Sequence, residues 1–257
     1  MVIHNRASNF VNGVKAVITF FTVIPIGGSH DVVKAFEYVW LATLIIPPIT
    51  GLVPGLVGYY IWITTHNGLF SASIAYTSLL LLTGLNHIDG FSDVIDALMV
   101  RGSVEDRIKV LKDPHRGSAA IAMVTLSIIL AISALLGLTN RMWQSLFVAE
   151  VISKSSCCLS ALIGREPPYR GLGWQLTVIA RRRITPIITS SLLGLAITYV
   201  MLGIIGAVSF TATILTSMLI FMHLQGKFGG AVGDLYGFIL EVSRVLSLMI
   251  MFVLFNI

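Results

Sequence analysis

Long uncharged stretches alternate with short polar segments along this chain. A helix that spans the bilayer needs about 20 predominantly apolar residues. Stretches of about this length lie at Tyr38–Ile63, Gly68–Asn86, Ser118–Leu138, Trp143–Gly164, Ile184–Ile205, Val208–Gln225 and Leu235–Phe255. The pattern predicts an all-α polytopic membrane protein with about seven transmembrane helices. Because three prolines, Pro47, Pro48 and Pro54, interrupt the first stretch, the predicted number of transmembrane helices ranges from about six to eight.

The apolar stretch Val14–Gly27 is shorter than the others. Its length is typical of a short N-terminal interfacial or re-entrant helix rather than of a span. No small-residue cleavage site follows it, so a removable signal peptide is not expected. No internal repeat is visible, and residues 1–257 are predicted to form a single transmembrane domain.

Composition supports the membrane assignment. Charged residues make up 11% of the chain and hydrophobic residues 56%, whereas about a quarter of the residues in a soluble domain are charged. The lipid bilayer is therefore an expected partner, and nucleic acid is not. An oligomer is left open by the sequence.

Basic residues are concentrated in two polar loops. The loop 101–116 holds five of the 17 Lys and Arg residues, and the loop 165–183 holds another five. Short loops rich in Lys and Arg stay in the cytoplasm. Two spans separate these loops, and two more lead to the loop 225–234, so all three polar loops are predicted to meet on the cytoplasmic face of the cell membrane.

Three carboxylates follow the second apolar stretch. Asp89, Asp93 and Asp96 are four and three residues apart, which places them within about 60° on one side of a helix. Like charges at this spacing repel each other, and carboxylates are costly near lipid. A hard divalent cation, Mg²⁺ or Mn²⁺, would resolve the repulsion. The alternative is a helix end whose charges face water.

Two further residues near this stripe are candidates for metal binding or catalysis. Asp113 precedes Pro114, which disfavours helix and predicts a loop. Asp113 is thus a fourth ligand or a base, unless it caps the following helix. His87 is a candidate general base or a hydrogen-bond partner of an aspartate, unless it is structural. Gly90 leaves room for a ligand, or for close helix packing.

Basic and polar residues on the same face are candidates for binding an anionic substrate. Metal-chelated diphosphates need cations that neutralise their remaining oxygens, although the topology rule alone explains some of these residues. The candidates are Lys112, Arg116, Arg170 in "REPPYRGLGW", and Lys227 and Asp234 in "GKFGGAVGDLYGFILE".

Four polar residues fall inside apolar stretches. Glu150 and Lys154 are four residues apart and predict an intramembrane ion pair with a structural role. Cys157 and Cys158 have no separated partner for a disulfide or a metal, so we expect them to pack as small apolar residues.

The chain resembles the cobalamin synthase family, the adenosylcobinamide-GDP ribazoletransferases. The family motif H-x-D-G-x-x-D-x-x-D is matched by His87, Asp89, Gly90, Asp93 and Asp96. Weaker matches are Lys112, Asp113 and Gly117; Tyr169, Arg170 and Gly171; and Gly233, Asp234, Gly237 and Glu241. "FFTVIP" resembles an N-terminal family segment, but it lacks the Arg that often precedes the proline.

The resemblance implies a catalytic domain that completes the nucleotide loop of cobalamin. A ribose hydroxyl of α-ribazole, or of its 5′-phosphate, would attack the corrinoid-bearing phosphorus of adenosylcobinamide-GDP and release GMP. Asp89, Asp93 and Asp96 would hold one or two Mg²⁺ ions, and Asp113 would be a ligand or the base. Lys112, Arg116, Arg170 and Lys227 would hold phosphate, and Asp234 would support metal or ribose.

Two other functions stay open on the residues. A CDP-alcohol phosphotransferase of phospholipid synthesis also uses stacked aspartates, but its motif has a different order of Asp, Gly and Ala-Arg. A cation transporter usually carries its charges near the midplane of paired repeats, and no repeat is visible here.

Overall fold

The computed structural model describes residues 2–26 and 31–257, and the side chains from residue 8 onward within them. These residues form helices and no strand. The helices are α1 (Val2–Phe21), α2 (Val32–Glu37), α3 (Ala42–Pro47), α4 (Val53–Thr65), α5 (Gly68–Leu82), α6 (Asn86–Met99), α7 (Val104–Leu111), α8 (Ser118–Leu136), α9 (Met142–Ile163), α10 (Leu172–Arg181), α11 (Ile184–Lys227) and α12 (Gly233–Asn256). The all-α prediction is confirmed.

Five segments of the described chain are long and apolar enough to cross a membrane. They are Val39–Thr65, Ser118–Leu136, Thr139–Ile163, Ile184–Lys227 and Gly233–Asn256. The pair α5 and α6 adds a sixth if it is counted as one bent span. These lengths support a polytopic membrane protein, with five or six candidate spans where the sequence predicted seven.

Helix α11 accounts for one difference in the count. Its 44 residues include Gly203, whose φ of 61° and ψ of −144° are not helical. A Cβ added at Gly206 would lie 2.1 Å from the carbonyl oxygen of Thr198, although eight residues of straight helix extend about 12 Å. The chain therefore folds back at Gly203, and the predicted spans Ile184–Ile205 and Val208–Gln225 fall mainly on its two arms. The total of seven stays a prediction.

The prolines do not end the first span. Pro48–Leu52 forms one π-helical turn between α3 and α4, and Val39–Leu41 adds a 3₁₀ turn before them. Proline lacks the N–H that an α-helix needs, and a local change of helix type accommodates it. A Cβ at Gly55 would lie 2.5 Å from the Cα of Trp143, so this segment packs backbone to backbone on α9.

Helix α9 lies in the interior and carries buried charge. Lys154 Nζ lies 2.7 Å from Glu150 Oε2, with both side chains fully buried, which confirms the predicted ion pair. Arg244 of α12 joins the pair, with its Nε 2.6 Å from Glu150 Oε1 and its Nη1 2.5 Å from Glu241 Oε2. Buried charges need such partners, because desolvation is costly. Sequence reasoning missed Arg244, although its spacing of three from Glu241 was a usable signal.

Helix α1 is not among the candidate spans of the described chain. Its last turn reaches the core through Val17 and Phe21, and Phe20 packs edge-on against Phe36 of α2 at 5.2 Å. The predicted interfacial stretch Val14–Gly27 covers this turn and the segment that follows; Gly27 lies outside the described residues. Cys157 and Cys158 are buried and unpaired in the core, as expected for packing residues.

Candidate active site

A sharp turn places α6 across the end of α5. Gly84 and Leu85 both have positive φ, 67° and 61°, which is rare for a residue such as leucine. The two helices meet at 91°. The turn carries the start of α6, and with it the acidic motif, away from the axis of α5.

Arg116 joins the first two carboxylates of the motif. Its Nη2 donates to Asp89 Oδ1, and its Nη1 lies 2.5 Å from Asp93 Oδ1. The Asp89 side chain is 64% exposed, whereas Asp93 is 9% exposed. Burial opposes the charge of Arg116, but the hydrogen bond to Asp89 and the charge of Asp93 raise the pKa of the guanidinium above its ordinary value. The two carboxylates and this cation form one polar cluster.

Asp96 has a different environment from its two neighbours on the stripe. Its Oδ2 accepts a hydrogen bond from the Gly117 amide at 2.6 Å, and its Oδ1 accepts one from the Ala120 amide at 3.0 Å. Both oxygens therefore bind the amino-terminal end of α8, where backbone N–H groups lack partners. A metal role for Asp96 stays a prediction.

Asp113 lies in a loop, as Pro114 predicted. Its Oδ1 accepts a hydrogen bond from the His115 amide at 2.9 Å and lies 2.7 Å from His115 Nδ1. These interactions hold the pKa of the Asp113 carboxyl below its usual value. Asp113 does not cap α8, because Asp96 does. Its carbonyl oxygen accepts from Arg116 Nη1 at 3.3 Å, so the Asp113 backbone helps to orient Arg116.

Asp234 reaches the cluster through the crossing of α6 and α12. A Cβ added at Gly90 would lie 3.0 Å from the carbonyl oxygen of Asp234. A Cβ added at Gly237 would lie 3.4 Å from the carbonyl oxygen of His87. Because neither glycine has a side chain, the two helices approach closely here. Gly90 therefore packs against α12, and Asp234 lies directly beside the turn that joins Asp89 and Asp93.

His87 is on the buried side of α6. Its side chain is 6% exposed, its Nε2 has no hydrogen-bond partner, and the Phe21 ring lies 5.7 Å away. Buried polar atoms are rarely unpaired. The ring nitrogen of His87 is thus available to a ligand or to water.

The three polar loops meet on one face, as predicted, and the cytoplasmic location of that face stays a prediction. Lys112 Nζ lies 4.9 Å from the centre of the Tyr169 ring, and Arg107 Nη1 donates to the Lys227 carbonyl oxygen at 3.4 Å. Arg170 stacks on Trp174 at 5.2 Å. The side chains of Lys112, Arg170 and Lys227 are exposed, so they surround the cluster instead of joining it.

Two cavities flank the first turn of α6. The larger, about 730 Å³, lies between this turn, the end of α1, and the starts of α10 and α12. The smaller, about 520 Å³, lies between α6 and α8. Asn86 lines both cavities, Asp234 lines the larger, and Asp89 and Arg116 line the smaller. Sequence reasoning missed Asn86, which precedes the acidic motif.

Two of the four residues predicted to bind metal, Asp89 and Asp93, converge on one cation, and the metal role itself stays a prediction. No three His, Cys, Asp or Glu side chains in the described part of the chain cluster in a metal-binding arrangement. Mg²⁺ commonly binds one or two carboxylates together with substrate phosphates. Asp89 and Asp93 fit that pattern, because their oxygens already converge on the Arg116 cation.

Comparison with known proteins agrees with the sequence motifs. The family model of cobalamin-5-phosphate synthase matches residues 13–252. Proteins named adenosylcobinamide-GDP ribazoletransferase are similar over nearly the whole chain. The one from Pyrobaculum islandicum is 35% identical over 91% of this chain and 92% of its own length. The one from Pyrobaculum aerophilum is 36% identical over 90% of this chain and 91% of its own length. The one from Pyrococcus furiosus is 29% identical over 92% of this chain and 98% of its own length.

No solved structure matches the chain. The family match and the relatives each cover about nine-tenths of the sequence. The resemblance seen in the motifs is thereby confirmed, and the chain belongs to the cobalamin-5-phosphate synthase family.

Proposed function

We propose that this protein is an adenosylcobinamide-GDP ribazoletransferase that acts in the last steps of cobalamin nucleotide-loop assembly. Its substrates would be adenosylcobinamide-GDP and α-ribazole or the 5′-phosphate of α-ribazole. The relatives that carry this activity in their names support the proposal. The observation that carries it is the Arg116 cluster on a helical turn flanked by two cavities, because the reaction has two substrates and a diphosphate centre.

The reaction exchanges a phosphoanhydride bond for a phosphate ester bond. The ribose hydroxyl oxygen forms a bond to the corrinoid-bearing phosphorus, and the bond from that phosphorus to the GMP oxygen breaks. GMP leaves with the electron pair, and the hydroxyl proton passes to a carboxylate. We assign this role to Asp234, because it lines the larger cavity beside the cluster. Asp113, the other candidate base, is exposed and bonded to His115.

The charged residues would act by positioning and charge stabilisation, as is typical of phosphoryl transfer. Arg116 would bind the diphosphate oxygens in pairs, a geometry that a guanidinium favours. Asp89 and Asp93 would hold Mg²⁺ or Mn²⁺, which when bound neutralises charge on the phosphate oxygens. Lys112, Arg170 and Lys227 would attract the anionic donor from the surrounding face.

The protein would lie in the cell membrane with this face in the cytoplasm. The support is the concentration of Lys and Arg in the loops that surround the site. Both substrates are polar, and the diphosphate donor is also anionic. A site open to the cytoplasm would receive them without transit across the membrane.

The test is GMP release by purified protein in lipid vesicles supplied with adenosylcobinamide-GDP and α-ribazole, with and without Mg²⁺. We expect metal-dependent GMP together with an equal amount of the cobalamin product. Asp93→Asn should lower turnover by about a hundredfold or more while the protein stays folded in the membrane. Release of CMP from CDP-alcohols would instead indicate phospholipid synthesis, and metal transport without a nucleotide product would indicate a transporter.

A further inference from the structure

The larger cavity has mostly apolar walls. Phe21 and Phe36 line one side, and Leu176, Tyr236 and Leu240 line the others; all five are buried. The described residues around it include no Lys or Arg. Such walls favour a flat, uncharged group, because burial of apolar surface is favourable and burial of an unpaired charge is not.

Most of the polar side chains of this cavity lie on the wall that α6 and α12 form. The hydroxyls of Thr19 and Thr22 at the end of α1 already donate to backbone carbonyls. Asn86 and His87 of α6 and Asp234 of α12 are its main polar residues there. The Nε2 of buried His87 lacks a partner. A few convergent polar groups in an apolar pocket are typical of small-molecule sites, where they fix the orientation of the ligand.

We propose that this cavity binds the acceptor nucleoside, with its aromatic base between the apolar walls and its ribose toward Asp234. The inference rests on the proposed function and adds which substrate binds where. The volume of about 730 Å³ lies in the range that encloses a drug-sized ligand. A nucleoside has that size, whereas the corrinoid nucleotide is several times larger and would have to remain mostly outside.

The donor diphosphate then belongs on the other side of the same turn. Asp89 and Arg116 line the smaller cavity, which is the more open of the two. Leu85 and Ile121 are exposed on its rim. An open rim suits a donor whose bulk projects from the site. Arg116 supplies the cation that the apolar cavity lacks.

Asn86 makes this division compatible with a direct transfer. It lines both cavities, so the acceptor hydroxyl near Asp234 and the diphosphate at Arg116 would meet beside this residue. Gly90, one turn further along α6, packs against the Asp234 backbone and holds the two helices together.

A pair of exposed residues allows the two cavities to be narrowed separately. Leu172 lines the larger cavity and is 51% exposed, and Ile121 lines the smaller and is 61% exposed. Tryptophan at either position adds an indole at the edge of one cavity without replacing a core side chain. We expect Leu172→Trp to raise the KM for α-ribazole by about tenfold and to leave the KM for adenosylcobinamide-GDP within about twofold.

The matched variant Ile121→Trp should leave the KM for α-ribazole unchanged. Equilibrium dialysis of α-ribazole against vesicles without donor or metal provides a readout that needs no turnover. We expect binding to the unmodified protein and to Ile121→Trp, and about tenfold weaker binding to Leu172→Trp.

The outcomes separate this inference from the proposed function. GMP release by the unmodified protein with no change in the acceptor KM of Leu172→Trp would overturn the cavity assignment alone. The same holds if Leu172→Trp affects the donor only, or if a bound lipid fills the cavity and the acceptor does not displace it. Absence of both GMP release and α-ribazole binding in the unmodified protein would overturn the function and the assignment together.

Discussion

The Gly117 amide donates a hydrogen bond of 2.6 Å to Asp96 Oδ2, which links the last part of the acidic motif to the start of α8. A Cβ at position 117 would lie 2.6 Å from Asp96 Oδ1, so only glycine fits without a shift. The contact holds the loop that carries Arg116 against α6. Asp96 thus helps to position Arg116, the residue that binds Asp89 and Asp93.

Removal of this cap should destabilise the protein. Asp96→Ala should lower the free energy of unfolding by about 1 kcal/mol, the usual value for a helix cap, and Asp96→Asn should lose less, since the amide oxygen still accepts one bond. The buried thiols of Cys157 and Cys158 allow unfolding to be followed with a thiol-reactive dye. Asp113→Ala is the matched control, because that carboxylate caps no helix; equal midpoints for both alanine variants would contradict the capping role.

Arg116 should tolerate no cationic replacement. Lysine presents a single ammonium nitrogen instead of the planar pair of Nη atoms that faces Asp89 and Asp93, so Arg116→Lys should lower the rate of GMP release by about a hundredfold, close to the effect of Arg116→Ala. Steady-state kinetics with both substrates varied measures this. Lys109, an exposed cation of α7 that pairs with Asp106, provides the control: Lys109→Ala should keep nearly full activity. A rate for Arg116→Lys within threefold of the unmodified protein would remove the bidentate role.

Arg244 should be essential for folding because of the charges that it pairs. Arg244→Met leaves Glu241 unpaired and Glu150 with Lys154 alone, in the fully buried network. Removal of one buried partner costs about 3–5 kcal/mol. The double variant Arg244→Met with Glu241→Gln keeps the network neutral and should recover part of that loss. The yield of folded protein and the midpoint of thermal unfolding in detergent are measured for the single and the double variant. A double variant less stable than the single one would contradict charge pairing as the cause.

Orientation can be tested with single introduced thiols. Arg101 and Asn140 are exposed in loops at opposite ends of the predicted spans, and the native cysteines are buried. In cells treated with a membrane-impermeant maleimide, Asn140→Cys should be labelled from outside, and Arg101→Cys only after the membrane is opened. The reverse pattern would place the Arg116 cluster on the outer side.

The sequence by itself determined the elements and most of the chemistry. Apolar length predicted the helices, since the bilayer demands about 20 residues for each span. The spacing of Asp89 and Asp93 put both on one side of α6, because helical periodicity depends on sequence distance alone. The distribution of Lys and Arg predicted that the three polar loops share a face, and the contacts of Lys112 and Arg107 agree.

Only the tertiary structure decided which residues meet. Local patterns contain no information on the approach of α6 to α12, which brings Asp234 beside Gly90, or on the fold-back at Gly203. The three aspartates of the motif look alike in sequence, yet Asp96 caps α8 whereas Asp89 and Asp93 bind Arg116. The physical reason is that a hydrogen bond depends on distances of about 3 Å between atoms, and packing of distant segments sets those distances.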